Sequence, residues 1–245
     1  MSTLGKLTVV EAKLFSREPA AAVYGLAFPV VLLVIFGSLP SMRAASSAPG
    51  GPRIIDVYLP ILIGLGLATL ALNTLPGFLA NYREKGVLRR LSTTPVSPAG
   101  VLTAQLVVNF VAAMVSIALL VGIGHLAFGV ALPRQFLGFL LTLVLLATSL
   151  YTLGLLIASV APTNRAAAGI GTLLYLPMMF AAGLWTPGAT PALIQRIGEF
   201  TPLGAGVQAL QQVWAGHWPQ PLLLLVLAGY TVAVGALATK LFRWE

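Results

Sequence analysis

Residues 81–100 read NYREKGVLRRLSTTPVSPAG and form the most densely charged stretch of a chain that is otherwise mostly apolar. Their charged side chains are Arg83, Glu84, Lys85, Arg89 and Arg90. On either side lies an apolar run long enough to cross a bilayer as a helix. We therefore predict that this stretch is a short basic loop held against one membrane face.

The same stretch carries the pattern of a short helix. Asn81 can accept a hydrogen bond from a free backbone N–H, and Glu84 follows three residues later, where it can reach back to the cap. A helix over residues 82–91 would direct Leu88 and Leu91 toward the membrane domain and its cations outward. Alternatively, the cations serve only to set the topology. The spacing leaves both interpretations open.

Composition indicates an integral membrane protein. The 245 residues are 58% hydrophobic and only 8% charged, with a mean hydropathy of +0.95, whereas about a quarter of the residues of a soluble domain are charged. The net charge of +8 comes from cations that flank apolar runs, which favours a membrane-surface role over nucleic-acid binding. The absence of cysteine excludes disulfides, thiol catalysis and cysteine metal sites.

Six apolar stretches are long enough to cross the membrane, and none of them contains a charged residue. They are residues 20–39, 57–79, 101–124, 135–161, 166–184 and 221–239. Open sheet edges cannot lie in lipid, so all six are predicted to be helices of a single domain, residues 1–245. The predicted fold is an all-α integral membrane protein.

Residues 2–18 precede the first of these stretches and have an amphipathic pattern. Their apolar residues recur at helical spacing, at Leu4, Leu7, Val10 and Leu14. This predicts a helix lying in the membrane interface. The alternative is a frayed basic tail.

The distribution of Lys and Arg predicts the orientation. With six spans both termini share one side, which holds ten cations: Lys6, Lys13, Arg17, Arg83, Lys85, Arg89, Arg90, Arg165, Lys240 and Arg243. The other side holds four: Arg43, Arg53, Arg134 and Arg196. Because cytoplasmic loops carry the excess of cations, we expect both termini and the 81–100 loop to be cytoplasmic.

Residues 185–220 are too polar to span the membrane and too apolar for a free loop. Pro191 and Pro202 each stand where a short helix can begin. We predict two short re-entrant helices on the outer side before the last span. Trp185, Trp214 and Trp218 are predicted to be interfacial anchors.

The sequence lacks the usual catalytic and nucleotide-binding groups. It contains no GxxxxGK[ST] motif. His125 and His217 are far apart, and with Asp56 and Glu199 they form no recognisable catalytic or metal-binding set. No ionisable residue lies within a predicted span, where an ion-driven transporter would need one. We therefore expect neither an enzyme nor a metal site, and any energy for transport must come from another polypeptide.

Neutral polar residues within the spans are candidates for lining a transport path. Asn73 is the most costly to leave in lipid, although such residues also serve as interhelical hydrogen bonds. Met178, Met179 and Phe180 could form a pliable apolar wall or simply pack the core. The candidate path residues are Thr69, Asn73, Thr172, Tyr175, Met178, Met179 and Phe180.

Several stretches together resemble the membrane subunit of ATP-binding-cassette exporters of the type-two permease family, which includes the drug-resistance permeases. The most specific is YREKGVLRRLSTTPVSP at 82–98, which is similar to the family's cytoplasmic coupling segment. ArgGluPro at 17–19 with FPVVLLVIFG at 28–37 is similar to the entry into the first span. LPMMFAAGLWTP at 176–187 and IGEFTPLGAGVQALQQ at 197–212 are similar to the fifth span and the outer helices.

The resemblance implies a dimer of permease subunits, either identical or different, docked on separate cytoplasmic ATPase subunits that bind ATP and Mg. The 82–91 helix would then be the coupling helix, and its candidate coupling residues are Arg83, Glu84, Lys85, Leu88, Arg89, Arg90 and Leu91. Of these, Glu84, Arg89 and Arg90 would face the ATPase or the N-terminal helix. The second and fifth spans would line the path.

A neutral, apolar path suits a hydrophobic or amphiphilic cargo such as a drug or a lipid-like compound, although the family also moves glycans and other cargo. We expect the protein to lie in a bacterial inner membrane. The alternative is an ATP-independent channel, scramblase or assembly partner. An intramembrane enzyme is a third possibility, for which the sequence offers no catalytic set. Co-purification with a P-loop ATPase separates the first two classes.

Overall fold

The computed structural model describes residues 3–17, 23–44, 51–86, 98–186 and 191–241, which are helical apart from short connections. The helices are α1 (Thr3–Arg17), α2 (Phe28–Ser38), α3 (Ile54–Glu84), α4 (Pro98–Phe128), α5 (Phe136–Val160), α6 (Asn164–Ala181), α7 (Ala192–Glu199), α8 (Pro202–Ala215) and α9 (Pro221–Leu241). A π-helical turn, Val23–Ala27, leads into α2, and a single helical turn, Pro40–Arg43, follows it. No strand occurs in the described ranges.

Four of these helices are long and apolar enough to cross a membrane, namely α3, α4, α5 and α9. The apolar helix Gly25–Ser38 is shorter, and α6, the predicted fifth span, is more polar because Asn164 and Arg165 lie in its first turn. The prediction of an all-α membrane protein is confirmed, whereas the count of six spans stays a prediction.

Helix α3 lies at the centre of the bundle. In its most apolar window 83% of the residues are buried, compared with 17% in α9. It packs against α2, α4, α5, α6 and α8. A helix that is apolar around its whole circumference can be buried on every side, and residues 59–72 of α3 have that character. The other helices are therefore arranged around α3.

The middle of α3 changes hydrogen-bond register. Its segment Leu70–Thr74 is π-helical, and the N–H of Leu75 bonds to the carbonyl of Leu70. Pro76 follows and has no N–H to donate, so the backbone pairing is weakened here. A Cβ on Gly154 of α5 would lie 2.0 Å from the Ala71 carbonyl oxygen. The missing side chain is therefore what lets α5 approach this backbone closely.

Helix α6 approaches the same segment from another side. A Cβ on Gly171 would lie 2.2 Å from the carbonyl oxygen of Leu72. Two glycines on two different helices thus allow α5 and α6 to reach the π-helical turn of α3. Cα–H groups at such short range supply weak hydrogen bonds to carbonyl oxygens.

The predicted helix start at Asn81 is wrong. Helix α3 continues through Asn81 to Glu84, and the Lys85 N–H bonds to the Asn81 carbonyl. Gly86 then follows the end of the helix with a φ of 62°, a conformation that glycine adopts without strain. The change from apolar to polar residues was interpreted as a boundary, but continuing an existing helix is easier than nucleating a new one. Residues 87–91, the rest of the predicted 82–91 helix, lie outside the described residues.

The two outer helices differ in burial. Helix α8 is largely buried against α3 and α5, whereas α7 exposes Leu193 and Ile197. Trp214, at the end of α8, is not an interfacial anchor as predicted. Its Nε1–H donates to the Ala131 carbonyl at 2.7 Å, and its ring packs edge-on against Phe139. With Trp214 8% exposed, its indole N–H finds its partner inside the protein.

Trp185 and Trp218, the other two predicted anchors, are 57% and 54% exposed. They are free to contact the membrane interface, so their anchoring role stays a prediction.

One arginine joins the ends of two central helices on this outer side. Arg53 pairs with Asp56 in the first turn of α3 at 2.8 Å. Its guanidinium also donates to the carbonyls of Phe128 and Gly129 at the end of α4, at 3.2 and 2.8 Å. A cation at a helix C-terminus is favourably placed, so Arg53 connects the start of α3 to the end of α4.

We expect Gly154→Ala to lower the free energy of unfolding by about 1–3 kcal/mol, because the new Cβ would force α5 away from the α3 backbone. Gly122→Ala in α4 is the matched control, since no heavy atom lies within 4 Å of its added Cβ. That change should be neutral or stabilising by up to about 1 kcal/mol through helix propensity. Thermal unfolding of the purified variants in detergent measures both, and equal effects would contradict the close packing described here.

Candidate functional site

Four of the candidate path residues form two hydrogen-bonded pairs between α3 and α6. The hydroxyl oxygens of Thr69 and Tyr175 lie 3.2 Å apart. One turn further along, the Thr172 hydroxyl donates to Asn73 Oδ1 at 3.4 Å. We call these four residues the polar seam. The structure thus brings together side chains that are about 100 residues apart in the sequence.

The polar seam lies at the π-helical turn of α3 and is uncharged. Thr69 also donates to the Leu65 carbonyl at 2.8 Å and is only 8% exposed. Thr172, in contrast, is exposed on the open side of α6 beside Leu173, which is 73% exposed. The seam therefore offers neutral hydroxyl and amide groups at the edge of an apolar surface, a combination suited to an amphiphile with few hydrogen-bonding groups.

The three candidate residues Met178, Met179 and Phe180 do not share one surface. Met179 is completely buried, which favours core packing, the alternative given for these residues; Met178 is partly buried, and Phe180 is 47% exposed. Successive residues point in directions about 100° apart on a helix. Only Phe180 lies on the same open side of α6 as Leu173 and Leu176.

A small apolar pocket lies beyond the polar seam, toward the outer end of the bundle. It has a volume of about 320 Å³ and is lined by Leu32, Phe36, Tyr58, Leu184 and Trp185. The Tyr58 hydroxyl donates to the Leu184 carbonyl, and the rings of Phe36 and Tyr58 are 4.7 Å apart. The Tyr58 hydroxyl, on α3, thereby holds the chain segment that follows α6.

At the opposite end of α3, helix α1 is held by two side-chain contacts. The Tyr82 hydroxyl donates to Glu11 Oε2 at 2.7 Å. The ring of Phe15 stacks on that of Phe78 with centroids 6.3 Å apart. Helix α1 also packs along α4. The N-terminal helix is therefore attached to the end of α3 from which the predicted coupling segment continues.

The buried side of α1 is not its apolar stripe. Glu11 is 5% exposed and Phe15 7% exposed, whereas Val10 is 53% and Leu14 41% exposed. Val10 and Leu14 therefore remain available to the bilayer, while Glu11 and Phe15 attach the helix to the protein. Burial raises the pKa of the Glu11 carboxyl above its ordinary value of 4.5, and the hydrogen bond from Tyr82 partly offsets this.

Glu11 was not among the predicted site residues. The only indication in the sequence is an i, i+4, i+8 row, Leu7, Glu11 and Phe15, in which an acid stands between two apolar residues.

Arg83 and Glu84 find partners inside the chain. Arg83 Nη1 donates to the Ala161 carbonyl just after α5 at 3.0 Å. Glu84 Oε1 accepts from the Asn164 N–H at the start of α6 at 3.3 Å. Glu84 is otherwise exposed, so the expectation that it faces an ATPase or α1 stays a prediction. Both charges have the favourable sign, a cation at a helix C-terminus and an anion at an N-terminus.

The remaining coupling candidates divide into two groups. Lys85 is exposed at the end of α3. Leu88, Arg89, Arg90 and Leu91 lie outside the described residues. Among the residues that the structure describes, no group of His, Asp or Glu side chains could hold a metal ion.

Comparison with known proteins agrees with this arrangement. The sequence profile of the ABC-2 type transporter family matches residues 4–214, which is most of the chain. A relative from Bacillus subtilis (strain 168), YvfS, whose name describes it as a transport permease, is 23% identical over 235 residues. The match covers 92% of this chain and 92% of YvfS.

The Glu11 contact predicts a pH-dependent attachment of α1. Because the folded-state pKa of Glu11 is raised, its favourable contribution is complete below the unfolded-state pKa and is lost as pH rises through the folded-state pKa. Glu11→Gln retains an acceptor for Tyr82 but cannot ionise, so it should flatten this dependence and strengthen attachment at neutral pH. Amide exchange of α1, corrected for its intrinsic pH dependence, measures the effect.

Glu199→Gln on α7 is the matched control, an acid-to-amide change remote from α1. It should leave the pH profile of α1 unchanged. An identical profile for Glu11→Gln and the unmodified chain would show that the Glu11 carboxyl does not titrate in this contact.

Proposed function

The chain belongs to the ABC-2 type transporter family, and from this premise we propose that it is the membrane subunit of an ATP-driven exporter. Its membrane domain forms the path, and a separate cytoplasmic subunit hydrolyses ATP. The path carries a hydrophobic or amphiphilic compound, either a drug or a lipid-like molecule. As a transmembrane subunit of this family it contributes no catalytic group of its own.

The observation that carries this proposal is the continuity of α3. One helix runs from the Glu11 and Phe15 contacts at Tyr82 and Phe78 to the polar seam at Asn73 and Thr69. Displacement of its cytoplasmic end therefore reaches the seam along one continuous helix, through the π-helical turn on which α5 and α6 pack. Such a connection suits a transporter that is driven from outside the membrane domain.

The energy source follows from what the spans contain. The sequence places no Asp, Glu, Lys, Arg or His near the middle of a predicted span, and a proton- or sodium-coupled transporter usually needs such a residue there. The polar seam is likewise neutral. This supports a partner ATPase, with its ATP and Mg, as the source of energy. Identical or different permease subunits both fit this arrangement.

The second permease subunit is expected to cover the open side of α6. Thr172 is exposed there between apolar residues, among them Leu173 and Leu176. A polar side chain in contact with lipid is unfavourable, whereas one that lines a cavity between subunits is not. The path would therefore be closed by a second copy or by a similar permease. The cation distribution supports cytoplasmic termini, and the bacterial relative supports location in a bacterial cell membrane.

Single cysteines on the open side of α6 should form disulfide-linked dimers. The chain has no cysteine of its own, so a scan of Leu173, Leu176 and Phe180 gives a clean readout on non-reducing gels. Leu126→Cys is the matched control, because Leu126 is 86% exposed at the end of α4. A dimer band at Leu126 but at none of the α6 positions would place the second subunit elsewhere.

Capture of an ATPase tests the proposed function. We expect the detergent-solubilised chain to co-purify with a P-loop ATPase, and Arg89→Ala with Arg90→Ala to weaken that capture about tenfold or more by removing charge contacts. Arg134→Ala, on the opposite side in the predicted topology, is the matched control and should bind normally. If the intact chain captures no ATPase, an ATP-independent function takes the place of this one.

A further inference from the structure

Helices α3 and α6 are connected from one end of the bundle to the other. Glu84 accepts from the Asn164 N–H, Thr172 donates to Asn73, Thr69 and Tyr175 are in hydrogen-bond contact, and the Tyr58 hydroxyl donates to the Leu184 carbonyl. As the residue number falls along α3, that of its partner rises. The two helices are therefore antiparallel neighbours that are hydrogen-bonded at three levels, with a fourth bond from α3 to the segment that follows α6.

These bonds extend across the whole length of a membrane-spanning helix. Tyr58 lies in the second turn of α3, and Glu84 is its last residue. At about 1.5 Å per residue, that part of α3 exceeds the hydrocarbon thickness of a bilayer. The two helices are therefore connected at several points along their length, and not at a single contact about which they could pivot.

The backbones between these bonds are in close contact. A Cβ on Gly171 of α6 would lie 2.2 Å from the Leu72 carbonyl oxygen, and one on Gly77 of α3 would lie 3.0 Å from Asn164 Oδ1. Closely packed helices resist sliding, because each side chain sits in a fixed gap of its neighbour. Hydrogen bonds broken inside a membrane have no water to replace them.

The cytoplasmic end of this pair also holds the connection between α5 and α6. Arg83 donates to the Ala161 carbonyl after α5, and Glu84, its neighbour, accepts from Asn164 at the start of α6. Thr163 caps α6 by accepting from the Ala166 N–H. The last turn of α3 is thus hydrogen-bonded both to the end of α5 and to the start of α6.

From these contacts we propose that α3 and α6 move as one rigid unit during transport, and that Glu84 is the positioning residue that passes the displacement of α3 to α6. This inference rests on the proposed function. It requires the path to open beside the α3–α6 pair, along a surface that the two helices form together, and never between α3 and α6 of one chain. Glu84 then acts within the permease, while the basic residues that follow it are the ones that contact the ATPase.

A disulfide across the pair tests the rigid unit. Gly77→Cys with Asn164→Cys places a thiol on each of two residues in contact, since a Cβ on Gly77 would lie 3.0 Å from Asn164 Oδ1, in a chain without other cysteines. In complex with the captured ATPase in nanodiscs, the oxidised protein should hydrolyse ATP at no less than about half the rate of the reduced protein. Inhibition of about tenfold that dithiothreitol reverses would overturn the proposal.

The assay needs a control in which motion is blocked. A cysteine at Leu173, Leu176 or Phe180 is expected to form a disulfide between the two subunits. That disulfide links surfaces that must separate during transport, so its formation should inhibit ATP hydrolysis. Capture by the unmodified chain is measured in parallel. Loss of that capture would refute the proposed function, whereas inhibition by the Gly77–Asn164 disulfide with capture intact would refute only the rigid unit.

Glu84 variants test the positioning role independently, should the double-cysteine chain not fold. We expect Glu84→Ala to capture the ATPase normally yet to lower the hydrolysis rate about fivefold, and Glu84→Gln, whose amide oxygen can still accept from Asn164, to recover most of that rate. A merely structural role would lower capture and thermal stability together. If Glu84→Ala weakens capture as Arg90→Ala does, or leaves the hydrolysis rate unchanged, the positioning role is wrong.

Discussion

A bilayer offers no hydrogen-bond partner to a backbone carbonyl, and the middle of α3 is where this constraint is most demanding. Its π-helical turn and Pro76 disturb the regular pairing inside the most buried of the four described helices that are long enough to cross a membrane. Gly154 and Gly171 let α5 and α6 approach the affected carbonyls of Ala71 and Leu72. The position of these helices, and hence of the polar seam, depends on that close approach.

The charges at the Glu84 end of α3 have two different uses. Arg83 and Glu84 satisfy helix ends belonging to α5 and α6, where their signs complement the helix dipoles. Glu11 is buried under Tyr82 and attaches α1. The predominantly basic stretch of the sequence thus begins with residues that form contacts within the chain, and in the proposed function the residues that follow contact a partner.

Prediction from the sequence succeeded for properties that depend on composition and failed for those that depend on neighbours. Helix Asn164–Ala181 and its polar residues could be proposed from hydropathy alone, but not that Thr172 and Tyr175 meet Asn73 and Thr69. Met179 and Trp214 are buried by helices distant in the chain. Periodicity indicates which residues share a face of one helix, but it does not indicate which neighbouring helix covers that face.

The sequence by itself determined the class of the protein, because the transfer of so many apolar residues out of water allows only helices in a membrane. It also indicated the basic segment after α3 and the resemblance to a transporter family. Only the tertiary structure decided that α3 is central, that it continues through Asn81, and that it is hydrogen-bonded to α6 along its length. Those features depend on pairs of residues about 80 to 126 positions apart, and such contacts form only when the helices pack.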